Sequence, residues 1–436
     1  MRVAVIGAGW AGLACAVEAT RAGHRVALFD AARTTGGRAR RIEGDAGIRA
    51  GPPLDNGQHI LIGAYRETLA LMRLVGVDPE TALLRLPLSL RRPDGTGLAV
   101  PAGWPAPLDL LAGIATARGW NWRDKTALMR SAWRWRRAGF RCAGTATVSD
   151  LCRDLTPRVM DELIDPLCVS ALNTPSVRAS GQVFLTVLRD ALFGLPGGAD
   201  LLLPRVDLGA LLPDAALDWL ACHDATLHLG TRVDILEPGG PGGAPWRIHD
   251  LPFDHVVLAG ASWDAARLLR HSAIDAPAWI EAAESLRFEA IATVYLEGAT
   301  PLAAPMLALR SSVDEPAQFV FDRTRLGGPA GRLALVVSAV DVPREILERR
   351  VLEQARKVLG QPGLRILRTI VEKRATFSCT PGLRRPAGDI DATLGACGDY
   401  VEGPYPATLE GAVRSGLTAA RRISGTERQK NFISVT

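Results

Sequence analysis

Apolar positions along this chain of 436 residues fall into two kinds of period, and the alternation between them predicts the elements. Val3–Ile6 is a short β-branched run, an Ala-rich stretch follows at helical spacing, and a second apolar run, Arg25–Phe29, ends on Asp30. The pattern predicts strand, helix, strand. Residues 76–199 carry helical spacing in stretches such as DELIDPLCVSAL and VFLTVLRDALF, cut by Pro and Gly. Residues 286–374 instead hold β-rich runs, FEAIATVYLEG, AQFVFDRT, GRLALVVSAV and LRILRTIVEKRATF, around one helix-like segment, PREILERRVLEQARKVL. Near the C-terminus, LGACGDYVEGPYPATLEGAVRSGLTAARRI reads as strand, loop and helix. PGGPGGAP, Pro238 to Pro245, is expected to be a hairpin-like or flexible excursion, and the tail GTERQKNFISVT is expected to fray. No internal repeat is visible.

The turn between the first strand and helix carries Gly7, Gly9 and Gly12. Each glycine serves a mechanical purpose. Gly7 allows the tight turn, Gly9 lets backbone approach a pyrophosphate, and Gly12 lets helix and strand pack closely. Ala8, Trp10 and Ala11 lie in the same turn and count with them as cofactor-binding, because the helix N-terminus faces the phosphates. Asp30 stands where a carboxylate accepts from ribose hydroxyls, which favours an unphosphorylated ribose over NADP. TTGGRARR follows, and its Gly36, Gly37 and Arg38 offer a second backbone approach to the same pyrophosphate with a guanidinium beside it.

Composition narrows the class. The excess of 51 basic over 46 acidic residues is too diffuse to argue for nucleic acid, except between Trp104 and Arg141. There, five of the ten tryptophans stand among arginines, a combination suited to a membrane interface or to a helical lid on a second domain. The seven cysteines show no metal spacing and read as small apolar residues of a reducing compartment. The N-terminus lacks the zones of a signal peptide and no run has the length of a membrane span. A cytoplasmic location is expected, with any membrane contact peripheral.

Two phosphate-cradling elements on one dinucleotide resemble the flavoproteins of the amine oxidase and phytoene desaturase superfamily. The C-terminal text resembles that superfamily's closing flavin motif, which implies FAD-binding roles for Gly398 and Asp399 and for Ala407, Thr408 and Leu409 at the start of the last helix. HLGTRVDILEP resembles the strand whose backbone, near Val233, meets the adenine, and HVVLAGAS resembles the one that closes on the cofactor at Ala259. The fold implied is α/β. A Rossmann-type FAD domain is assembled from 1–75, 200–275 and 375–436, and an α+β substrate domain with a mixed sheet and helices from 76–199 and 276–374.

LDNGQHILIGAY, Leu54 to Tyr65, sets Asp55, Asn56, Gln58 and His59 around Gly57 and then turns apolar. Together with ATFSCTPGLRRP and GDYVEGPYPATLEGAVRSG, it is similar to squalene-associated FAD-dependent desaturases, also called hydroxysqualene dehydroxylases, over nearly the whole chain. Asp30 departs from the Glu frequent in the superfamily. The resemblance implies reduction of hydroxysqualene to squalene by FADH2 with loss of water, in squalene and hopanoid biosynthesis. That chemistry asks for a hydride donor held close, a proton for the leaving hydroxyl and a dry apolar channel. His59, or Asp55, is the candidate for the proton. Alternatively Gly57, Gln58 and His59 support the flavin. A carotenoid-type desaturase running in the opposite direction, an amine oxidase and a non-catalytic flavin scaffold are the other readings, and the sequence names neither the electron donor, NAD(P)H or a reductase, nor the oligomeric state.

Overall fold

β1 (Arg2–Ile6) and β2 (Arg25–Asp30) lie side by side at the centre of a five-stranded sheet, joined by α1 (Trp10–Arg21). The computed structural model describes residues 1–42, 53–104, 108–194, 196–240 and 243–433. The sheet runs in the order Thr226–Leu229, β2, β1, His255–Leu258, Leu394–Ala396, and every pairing is parallel. Its strands therefore come from stretches far apart in sequence, and their C-terminal ends are gathered along one edge.

Gly7 and Gly12 determine how α1 leaves that edge. Gly7 holds φ at 120°, a region that L side chains avoid, and a Cβ there would lie 2.6 Å from the backbone of Ala259. A Cβ on Gly12 would fall 1.8 Å from the Gly7 carbonyl oxygen, so helix and strand meet backbone to backbone.

A second five-stranded sheet follows the order Met306–Ala308, Phe319–Asp322, Leu333–Ser338, Phe288–Glu297, Arg365–Phe377. Every neighbouring pair is antiparallel, where a mixed sheet was expected. The reason is a skipped strand: the helix Arg344–Leu359 carries the chain over Phe288–Glu297, which slots between the two strands the helix links.

The helical part holds Leu108–Thr116, Trp122–Arg137 and Gly181–Leu192, and the expected DELIDPLCVSAL helix begins as a π-turn, Met160–Ile164, before Asp165–Leu172. In the PGGPGGAP excursion, Glu237–Pro238 pairs with Trp246–Ile248 as a hairpin, with 241–242 outside the described residues. The last helix, Leu409–Ile433, extends into the tail expected to fray. Residues 434–436 lie outside the description.

Candidate active site

A continuous cavity of about 690 Å³ opens along the C-terminal edge of the parallel sheet and extends to residues of the helices and the antiparallel sheet. Position follows from topology, since ligands of open α/β sheets bind beyond the carboxyl ends of the strands.

At the sheet end the wall includes Gly7, Gly9, Trp10 and Ala11. No side chain among the described residues caps α1 at Gly9, so the N–H groups of its first turn are left for an acceptor. Gly36 bonds the Ala8 carbonyl at 2.9 Å, and a Cβ on Gly37 would lie 3.3 Å from the Gly9 Cα. The two glycine turns are thus packed together. Trp10 locks them, its Nε1–H donating to the Ala39 carbonyl at 2.9 Å. Asp30 accepts from the Ala8 N–H at 2.6 Å and the Ala32 N–H at 2.7 Å, which fixes its carboxylate in the wall. Val233 and Ala259 line the same end. Ala8 is buried behind the wall and Gly12 acts through packing, so neither faces the cavity.

The two ends of the chain meet at Arg38. Its guanidinium pairs with the Asp399 carboxylate and donates to the Ala375 carbonyl at 2.8 Å. Gly398 and Asp399 line the cavity, as do Ala407, Thr408 and Leu409. Ala407 takes φ 57°, a left-handed turn that costs a non-glycine residue roughly 1–2 kcal/mol and that redirects the chain from the Asp399 loop into the last helix. Thr408 caps that helix, accepting from the Gly411 N–H at 2.9 Å.

The 54–65 segment is where expectation and structure part most. Asp55 is buried and does not line the cavity: it accepts from the Leu208 N–H at 2.8 Å, and its own carbonyl accepts from the Tyr295 hydroxyl at 3.0 Å. It is anchored behind the cavity wall. Asn56 donates to the Arg38 carbonyl at 2.8 Å and to Glu372 at 3.1 Å. Gln58 takes a bond from Arg323 at 3.2 Å, and its N–H reaches the Thr293 hydroxyl at 3.3 Å. Gly57, Gln58 and His59 line the cavity. His59 Nδ1 lies 2.9 Å from the Gly57 carbonyl oxygen, a contact that assigns the proton to Nδ1 and leaves Nε2 as an acceptor. Burial holds its pKa below the ordinary histidine value, with the Gly57 bond opposing and Arg38 adding to the effect, which favours the uncharged ring.

Burial also pushes the Asp55 carboxyl up to about 6, against the Leu208 bond and the Arg323 charge. The folded state therefore binds this proton more tightly than the unfolded chain. Its contribution to stability is complete below about pH 4 and is lost as pH rises through about 6. Asp55→Asn keeps an acceptor for Leu208 and removes the titration. Between pH 4 and 7 its stability should improve relative to the parent by up to roughly 3 kcal/mol, at about 1.4 kcal/mol per tenfold in proton affinity. Urea unfolding across that range measures it; parallel curves would refute the assignment.

Sequence reasoning missed the contacts made between distant elements. Glu410 is buried and accepts from Glu67 N–H, Thr68 N–H and the Thr68 hydroxyl, capping the helix Arg66–Leu74 from the far end of the chain. Tyr405 donates to Asp190 at 2.8 Å, and both line the cavity. The Tyr405 hydroxyl is pushed up to about 12 by burial and by that carboxylate. Beyond these groups the wall turns apolar, with Leu167, Phe184 and Leu188 from the helices facing Ile291, Phe319 and Phe321 from the antiparallel sheet. Among the described residues no cluster of metal ligands is present.

The arrangement is a dinucleotide crevice that opens into an apolar chamber. Comparison with known proteins agrees with it. The family of flavin containing amine oxidoreductases matches residues 10–424. The chain is 29% identical to a hydroxysqualene dehydroxylase of Rhodopseudomonas palustris, covering 98% of this chain and 99% of that protein. It is 26% identical to one of Zymomonas mobilis, covering 95% and 97%. Among solved structures, an oxidoreductase from Methanosarcina mazei superposes with a TM-score of 0.71 at 17% identity, over 97% of this chain and 100% of that one.

Proposed function

Because the chain belongs to the flavin containing amine oxidoreductase family, and is an FAD-dependent oxidoreductase, we propose that it reduces hydroxysqualene to squalene. The observation that carries the reading is the joining of an uncapped, glycine-lined crevice to an apolar chamber in one cavity. Similarity along nearly the whole chain to two hydroxysqualene dehydroxylases supports it.

In this reading segments 1–75, 200–275 and 375–436 hold FAD and the remainder holds the hydrocarbon. The N–H groups at Gly9–Ala11 and the Arg38 guanidinium take the pyrophosphate, Asp30 the adenosine ribose, and the helix that begins at Leu409 presents its N-terminal donors and dipole to the flavin's carbonyl end. Reduced FAD, when bound there, would supply the hydride that takes the place of the allylic hydroxyl, which would leave with one proton as water. The chain's own part is to exclude water: Leu167, Phe184, Leu188 and Phe319 line the chamber around the polyprenyl arms. His59 is a supporting group, held by Gly57 and offering Nε2 as an acceptor.

The test is anaerobic mixing of chemically reduced holoprotein with hydroxysqualene, which should restore the oxidised-flavin spectrum; a spectrum that stays reduced counts against the reading. His59→Asn in the same experiment should retain FAD and lose less than about tenfold in rate, with the pH profile unchanged. A general acid would instead lose roughly 100- to 10,000-fold together with one limb of that profile, and that outcome would move His59 from support to proton transfer.

A further inference from the structure

Two successive helices leave large apolar side chains in water. The first, Leu108–Thr116, exposes Leu108 at 51% and Leu111 at 46%, one turn apart. The second, Trp122–Arg137, exposes Trp122 at 68%, Met129 at 42% and Trp133 at 62%. These three stand at i, i+7 and i+11, within about 40° of one another around an ideal helix. The opposite face of the same helix buries Asp124, Leu128, Ser131 and Trp135. The helix therefore has its core contact already, and the tryptophan stripe is surplus to folding.

Lys125 Nζ donates to the Ala115 carbonyl at 2.6 Å, tying the second helix to the first. Trp104, exposed at 56%, precedes the first helix, with 105–107 between them outside the described residues. The charge around the stripes is one-sided. Between Leu108 and Arg137 there are seven basic residues against Asp109 and Asp124. Asp124 is buried in the helix cap, bonded to Asn121 and Thr156. Arg123 lies over the Trp122 ring at 5.9 Å and Arg137 over Trp133 at 5.3 Å, so the rings and cations form paired units. Of the outer arginines, Arg134 is engaged by Asp154.

We propose that this face docks on an anionic phospholipid membrane. The chemistry matches on both counts: tryptophan and leucine insert at the headgroup level, and the flanking arginines meet lipid phosphates. A protein partner with an acidic rim is the competing occupant. The observations favour lipid, because the rings are dispersed along two helices and accompanied by cations rather than by mixed charge. Among the described residues no helix is long and apolar enough to span a membrane, so contact is by lying on it.

The patch also backs onto the cavity. Gly113 of the first helix packs on Val100, whose N–H bonds the Leu88 carbonyl at 2.9 Å, and Leu88 and Leu90 line the chamber. One layer of chain thus separates the first of the two helices from the apolar chamber. That a membrane-dissolved substrate is taken up from this side rests on the function proposed above, whereas the docking itself does not.

The experiment is co-sedimentation of the FAD-loaded full chain with phosphatidylcholine vesicles, with or without phosphatidylglycerol. The parent should bind the anionic vesicles, weakly bind the neutral ones, and release as salt is raised. Trp122→Ser/Trp133→Ser should bind at least about tenfold more weakly, and Arg130→Glu/Arg137→Glu should lose the preference for anionic lipid. Both variants should keep the parent's circular dichroism, flavin content and turnover of detergent-dispersed substrate. Vesicle binding equal in parent and variants overturns the proposal. So does no binding at low salt, or a concentration-dependent self-association that the tryptophan variant abolishes. Vesicle binding without turnover would sink the functional reading alone, and turnover in detergent without vesicle binding would sink only this one.

Discussion

Gly12→Ala is expected to yield a chain that retains little FAD and unfolds well below the parent. The added methyl carbon would stand 1.8 Å from the Gly7 carbonyl oxygen and 3.0 Å from the Ala259 side chain. Neither obstacle is the tip of a flexible side chain; the first is backbone in the glycine turn proposed to cradle the pyrophosphate. Relief requires α1 to move away from β1, and that movement displaces Gly9 and the uncapped first turn from the cavity wall. Overpacking in well-filled interiors costs about 1–3 kcal/mol, and a fixed backbone obstacle places this change at the upper end or beyond. Gly144→Ala is the control, since a Cβ there meets no described atom within 4 Å and the residue is exposed. Flavin absorbance per chain and thermal unfolding measure both. An FAD-replete Gly12→Ala protein of unchanged stability would show that close packing of helix on strand is not what shapes the site.

Arg38→Ala should weaken FAD binding by about a hundredfold, equivalent to roughly 3 kcal/mol. Two losses add. The guanidinium in the cavity wall is removed, and Asp399, whose side chain is only 10% exposed, is left without the cation that pairs with it. Arg38 also donates to Ala375, so its removal loosens the junction between the GGR turn and the strand Arg365–Phe377. Arg38→Lys restores charge without the planar fork and should recover only part of the affinity. Adding Asp399→Asn to Arg38→Ala removes the stranded carboxylate, so the double variant should be less impaired than the two single losses sum to. Flavin fluorescence released on dialysis gives the affinities. Strict additivity would mean that the pair is incidental.

What the sequence made legible was local. β1, the glycine turn, α1, β2 and Asp30 occupy one continuous stretch whose periodicity and turn residues encode their own conformation. The long strand Arg365–Phe377 and the helix Arg344–Leu359 were equally plain, since each carries its period over more than a dozen residues. Partnerships between distant residues were not legible. Nothing near Arg38 announces Asp399, nothing near Glu410 announces the helix start at Glu67 and Thr68, and Tyr405 gives no sign of Asp190.

The same distinction explains the polar cluster at 55–59. Its residue types were read as chemistry beside a flavin, yet three of the four side chains are engaged in fixing the loop. Asp55 holds Leu208, Asn56 holds Arg38 and Glu372, and Gln58 is held by Arg323. Buried polar groups must be satisfied, and these are satisfied by elements far away in sequence. His59 is the member that presents a ring to the cavity, with its Nδ1 held by the Gly57 carbonyl, and the supporting role proposed for it rests on that contact. Sheet pairing was illegible for a related reason: a strand–helix–strand run specifies a crossover but not which third strand will fill the gap.

Conversion of hydroxysqualene to squalene by reduced FAD in this cavity is best tested by identifying the product of a single anaerobic turnover. Reduced holoprotein is mixed with excess hydroxysqualene, and the lipid extract is resolved by mass spectrometry. Squalene should appear in an amount equal to the reduced flavin consumed. Unchanged hydroxysqualene, with the oxidised holoprotein instead desaturating a polyene precursor, would contradict the proposed function.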